Sequence, residues 1–334
     1  GSEMCIRDSI KCPLLIMAPS NDFHGKVEDV AWMIDHIPSK DVRIARSVHF
    51  NHKNDASSMA ARELWFDAKL KDGYRFPGQP ELMVKLEAGD GRPLVSVRPN
   101  HSMPIAHVDI FYTRDGNVSG YPELKTRYWQ YAKPKQQGKI YSASLDIFDV
   151  EEPLWVFAKV YYALEGSGQA RALTQACDTF TVTTPLVMLS AEELAQADIK
   201  MQSKTTQVIE SFGADWEKEW IVSDHRWDSW KLNNARVPMP RYGKLVLDIQ
   251  SDQATPLTVE IGDYRGTFNV MGGGDTQQIE IYPFDLKERQ TKAALLNFSA
   301  LKRPMIRLSM SRSEPVPSFR QLAWETVSEA EFLE

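Results

Sequence analysis

Two helix-period stripes, at residues 25–37 and 55–70, are the long ones in this 334-residue chain, and both lie before residue 72. In the first, Val27, Val30, Ala31 and Ile34 recur at i, i+3, i+4 and i+7, and Pro38 closes it. In the second, Ala60, Ala61, Leu64, Trp65 and Ala68 share one face, and Gly73 ends the element. Each stripe follows or precedes a strand-like run. "PLLIMA" at 13–18 is continuously apolar, as in a strand buried on both faces. "VRIARSVHF" at 42–50 is more polar, as in a strand nearer a sheet edge. Residues 10–72 therefore predict β-α-β-α, the unit of a parallel sheet covered by helices.

The pattern changes after the turn-rich "KDGYRFPGQP", and 73–81 is expected to be a linker. Short strand candidates follow at 82–88, 94–99, 106–112, 126–132, 139–147, 154–163 and 178–183, with "LWVFAKVYYAL" the longest and expected to be half-buried. Their spacing predicts a β-sandwich over 82–183, immunoglobulin-like in size. Residues 184–204 form a connector with a helical turn opened by Ser190 and Glu193. Residues 205–334 carry further alternating runs, among them "KLVLDIQS", "LTVEIGD", "QQIEIYPF" and "FRQLAWE", and predict a second sandwich of jelly-roll type. The fold class expected is multidomain α/β plus all-β. Residues 1–9, "GSEMCIRDS", read as translated adapter sequence, so the natural protein is expected to extend upstream.

Composition excludes some partners. The 39 Lys and Arg against 45 Asp and Glu form no basic stripe, which argues against nucleic acid. No run of 18 apolar residues predicts a membrane span. Cys5, Cys12 and Cys177 lack metal-ligand spacing, and an odd number leaves at least one unpaired. No cofactor is expected.

The segment "SNDFHG" at 20–25 puts Asp22 just past the first strand, and "FNHK" at 50–53 puts His52 just past the second. Chemistry in open parallel sheets collects at the carboxyl ends of strands. A carboxylate orienting an imidazole general base is two-thirds of a nucleophilic triad. Competing readings are that Asp22 only caps the following helix, that His49 within the strand is the base, or that Asp22, His24, His49 and His52 hold a metal. No HExxH or comparable spacing supports the last, and no metal is expected. Phe23 and His24 are candidates for lining the substrate site.

"CPLLIMAPSNDFHG", "HFNHKND" and "LWFDAKLKDG" together resemble the C-terminal part of α/β-hydrolase esterases, similar to dienelactone hydrolases and acetylxylan esterases, over about residues 10–182. The resemblance implies that Asp22 is the triad acid and His52 the base, acting on an acylated carbohydrate or small ester, with a secreted or periplasmic home. It also implies a GxSxG nucleophile elbow upstream of Asp22. No GxSxG occurs in this chain, and "EGSGQ" at 165–169 does not fit it. The nucleophile and oxyanion hole are therefore expected outside this sequence, leaving the chain alone inactive.

Residues 215–233 contain Trp216, Trp220, Trp227 and Trp230. Exposed rings stack on sugars, which makes Trp227 and Trp230 candidates for substrate binding; the competing reading places such rings in the sandwich core. The strand pattern over about 212–312 resembles carbohydrate-binding jelly rolls, although its acidic residues are not spaced as a calcium loop. The alternative to an esterase is a non-catalytic glycan- or protein-binding protein built on the two sandwiches. Two geometric expectations follow: Asp22 and His52 within hydrogen-bond reach, and exposed apolar faces on 13–18 and 60–68.

Overall fold

The computed structural model describes residues 9–121, 123–164, 177–202 and 205–333. The reading of residues 1–9 as adapter falls almost wholly outside them, as does "EGSGQ". The chain forms two compact units, 1–202 and 203–334.

The first unit opens with β1 (Leu14–Met17), α1 (Val27–His36), β2 (Val42–Ala45) and α2 (Ala56–Leu70). β1 and β2 pair in parallel, Leu14 opposite Val42 through Met17 opposite Ala45. β1 is half-buried rather than covered on both faces, and among the described residues it pairs with β2 alone. β2 is shorter than expected and ends before His49, which adopts a left-handed φ of 67° in the loop beyond it. The α2 stripe is not exposed: Ala60, Ala61 and Trp65 are buried, and Trp65 meets Phe76, which packs on Phe180.

Nine strands follow among the described residues. β3 (Glu81–Lys85), β4 (Leu94–Arg98), β7 (Lys135–Gln137) and β8 (Ile140–Ser144) form one antiparallel sheet in the order β3-β4-β8-β7. β5 (Ile105–Thr113), β6 (Gln130–Ala132), β9 (Leu154–Ala163), β10 (Thr179–Thr183) and β11 (Val187–Leu189) form the other, in the order β10-β9-β5-β6 with β11 also on β9. Val95, Val97 and Ala143 from the first sheet share a core with Val108, Ile110, Val156, Ala158 and Val160 from the second, as in a β-sandwich.

β9 is not the half-buried strand expected. Its alternate residues Trp155 and Phe157 pack on the opposite face with Val27, Val48, Phe111 and Trp129. The β-α-β-α element thus covers the outer face of the second sheet, and a sheet buried on both faces loses its polar alternation. For the same reason 73–81 does not separate two cores: Ala45, Ala60 and Ala61 belong to the core that Val95 and Val160 help build. The connector also joins this unit, through β11 and through α3 (Ala191–Gln196), whose Ser190–Glu193 capping box is formed.

The second unit holds two antiparallel sheets. One runs β12 (Val208–Glu210), β21 (Ser318–Thr326), β15 (Gly243–Gln250), β18 (Thr276–Ile281). The other runs β13 (Ile221–Ser223), β14 (Arg226–Ser229), β20 (Ile306–Ser309), β16 (Thr255–Ile261), β17 (Tyr264–Val270), β19 (Lys287–Glu288). Leu245, Leu247, Ile281 and Trp324 from the first meet Val259, Ile261, Leu308 and Trp227 from the second in one core. Among the described residues no helix is long and apolar enough to cross a membrane.

Candidate active site

The loops after β1 and β2 continue the strand pairing as a zipper. The N–H groups of Ala18, Ser20 and Asn21 donate to the carbonyls of Ala45, Ser47 and Phe50, at 3.3, 2.9 and 3.1 Å. The His49 N–H donates to Ser20 Oγ at 2.8 Å. This brings Asp22 and His52 together: His52 Nδ1 lies 3.0 Å from Asp22 Oδ2. A carboxylate can only accept, so Nδ1 carries the proton of this contact, and Nε2 is the nitrogen turned away from Asp22. The His52 side chain is 43% exposed and that of Asp22 13%. His52 holds a left-handed φ of 54°, an uncommon conformation for a residue with a Cβ and one found at functional loops.

Asp22 does not cap α1. Its Oδ1 accepts from the N–H groups of His24 and Gly25, at 2.8 and 3.0 Å, closing a turn ahead of the helix, whose N-cap is Lys26. Burial raises the Asp22 carboxyl pKa, but the N–H groups of Gly25 and His24 and the His52 ring outweigh it and hold the acid below its ordinary range. His49, the other candidate base, is buried edge-on to the Phe111 ring, 6.3 Å between centroids. The described residues contain no group of three His, Cys, Asp or Glu arranged to hold a metal.

Phe23 and His24 stand beside the pair. The Phe23 ring lies 4.6 Å from that of His52, and His24 stacks on His52 at 4.9 Å. Phe23 also touches Tyr121, at 4.9 Å, on a loop of the sandwich that sequence reasoning passed over.

Three further attachments hold this site, and none was read from the sequence. Asn21 is buried with every side-chain valence used. Its Nδ2 donates to the carbonyls of Lys125 and Arg127 at 2.9 and 2.8 Å, and its Oδ1 accepts from Trp129 Nε1 at 2.9 Å and Ser20 Oγ at 3.1 Å. Glu28 in α1 takes a two-pronged bond from buried Arg127, at 2.8 and 2.9 Å, and the guanidinium lies over the Trp155 ring. Asp55 accepts from the Ser58 N–H as the cap of α2 and from buried Lys159 Nζ at 2.7 Å. Burial pushes the Asp55 pKa up, but the Lys159 charge and bonds from Lys159, Ser57 and Ser58 bring it down to about 2.

The tryptophan segment is built differently. Trp227 is only 5% exposed, in the core of the second unit, and Trp220 is buried with its Nε1 donating to Glu210 at 3.0 Å. Trp227 therefore cannot stack on a sugar as expected: strand alternation turns it inward and Asp228 outward. Outside, a row of opposed charges crosses four strands, Asp228 opposite Arg307, Arg307 opposite Glu260, Glu260 opposite Arg265. Trp230 is half-buried at the head of the 3₁₀ turn Lys231–Asn233.

Neither a protein-family model nor a curated protein matches the chain.

Proposed function

We propose that Asp22 and His52 are the acid and base of a serine-type carboxylic ester hydrolase of α/β-hydrolase architecture, deacylating a polysaccharide or related ester. The observation that carries this is the Nδ1–Oδ2 contact of 3.0 Å between loops that follow two parallel-paired strands. With the imidazole fixed by its Nδ1–H, Nε2 takes the proton of a serine hydroxyl as that oxygen attacks the ester carbonyl. It then returns the proton to the leaving alcohol, and Asp22 stabilises the imidazolium between the two steps. The serine and the oxyanion donors come, on this reading, from strands added beside β1, and the two β regions are an immunoglobulin-like sandwich and a jelly roll.

The test is hydrolysis of p-nitrophenyl acetate and of acetylated xylan. The chain alone turns over neither above background, since a base without a nucleophile activates nothing. In a protein that joins it to an upstream GxSxG segment, His52→Ala lowers kcat by about 10³-fold or more. Unchanged turnover after that substitution refutes the assignment.

A further inference from the structure

We infer that the sandwich itself supplies one wall of the substrate site, with Tyr121 and Lys125 binding the sugar ring that carries the ester. This rests on the esterase reading of the Asp22–His52 pair.

The loop between β5 and β6 returns to the β1 and β2 ends. It is tied there by the Lys125 and Arg127 carbonyls on Asn21 and by Arg127 on Glu28. At its start Gly116 lies against the Trp155 indole, where a Cβ would come within 2.7 Å of the ring, so this close approach requires glycine. Between these attachments lies Tyr121, 69% exposed, a large ring left in solvent although it touches Phe23. Lys125 Nζ stands 5.4 Å from its centroid.

Tyr121, Phe23 and His52 thus form a continuous row of rings, each within 5 Å of the next. One end of the row carries the basic Nε2 and the other a cation. The CH-rich face of a pyranose packs on such rings, and its hydroxyls accept from the ammonium. A small ester occupies only the His52 end. The far end therefore reads the carbohydrate and leaves the acyl group unread.

The experiment titrates the full chain, without turnover, with acetylated xylotetraose, following the tyrosine and histidine ring resonances by NMR. Binding that shifts Tyr121 and His52, and that Tyr121→Ala weakens by about fivefold, the size of one lost ring-stacking contact, supports the inference. Lys125→Met weakens it by a smaller factor. No binding at millimolar sugar, or equal affinity in Tyr121→Ala, overturns it. In the nucleophile-bearing protein, Tyr121→Ala raises KM for acetylated xylan. An unchanged KM for acetylated xylan in that variant overturns the wall. Tyr121-dependent binding together with His52-independent turnover refutes the esterase reading alone.

Discussion

The segment around Asp22 and the segment around Trp227 are both rich in aromatic residues, and they use their rings in opposite ways. Phe23, His24 and Tyr121 sit on loops beyond the ends of strands, where no alternation dictates a direction, and they gather around an ionisable pair. Trp227 lies inside β14, where its neighbours on β20 face the same core, so Trp227 sits opposite Leu308 and is buried with it. A ring's availability is therefore decided by the element carrying it and not by the density of rings in the sequence.

The comparison breaks most sharply if the two segments respond alike to truncation. Trp227→Ala removes a fully packed ring and is expected to cost about 3–5 kcal/mol of stability, with no change in the His52 ring resonances. Denaturant unfolding and one NMR spectrum read both. Asn21→Ala should cost about 2–4 kcal/mol, because it leaves the Trp129 indole and two carbonyls unpaired in the interior. Unlike the Trp227 change, it should also shift the His52 resonances, since the Asp22 loop hangs on Asn21. Unmoved signals would show that the loop is held by the strand zipper alone.

The next effect depends on pH. Asp55 has its pKa lowered from 3.8 to about 2 in the folded chain. Its stabilisation, about 2 kcal/mol, is fully present above pH 3.8 and is lost as pH falls through about 2. Lys159 is shifted the other way: burial opposes its charge, but Asp55 raises its pKa. Its share is present below pH 10.5 and is lost only as pH rises past that raised value. Lys159→Met, leaving Asp55 buried beside an apolar chain, should shift the acid unfolding midpoint upward in pH. A midpoint unchanged from wild type would remove the pair from the stability of the site. The smallest effect is expected at Trp230, half-buried outside any strand, where alanine should cost about 1 kcal/mol. A loss as large as that at Trp227 would erase the distinction between strand and loop rings.

Much of the architecture was legible where one rule governed the residues. β9 runs Leu154–Ala163 as expected, and each strong alternating run of the second unit became a strand. Short polar edges such as β7, "KQQ", carry no periodic signal and were missed. The burial of β9 on both faces was misjudged because its second partner, α1, lies far back in the sequence. Asp22 and His52 were legible because strand ends mark them. Their supports were not, since Asn21 meets Trp129, Glu28 meets Arg127 and Asp55 meets Lys159 across separations of 108, 99 and 104 residues. No local pattern encodes a pairing at that range.

The fully occupied amide of Asn21 bears on how this chain could be recombined. The segment 73–81 looks like a natural splice point, yet a transplant cut there would carry away the Trp129 indole and the carbonyls that Asn21 needs. A foreign sandwich grafted onto β1 and β2 would have to rebuild those three groups in the same positions, together with an arginine for Glu28 and a lysine for Asp55. Exchange of parts is therefore far easier at the boundary between residues 202 and 203, where one compact unit ends and the next begins. Up to that point the chain folds as one compact unit.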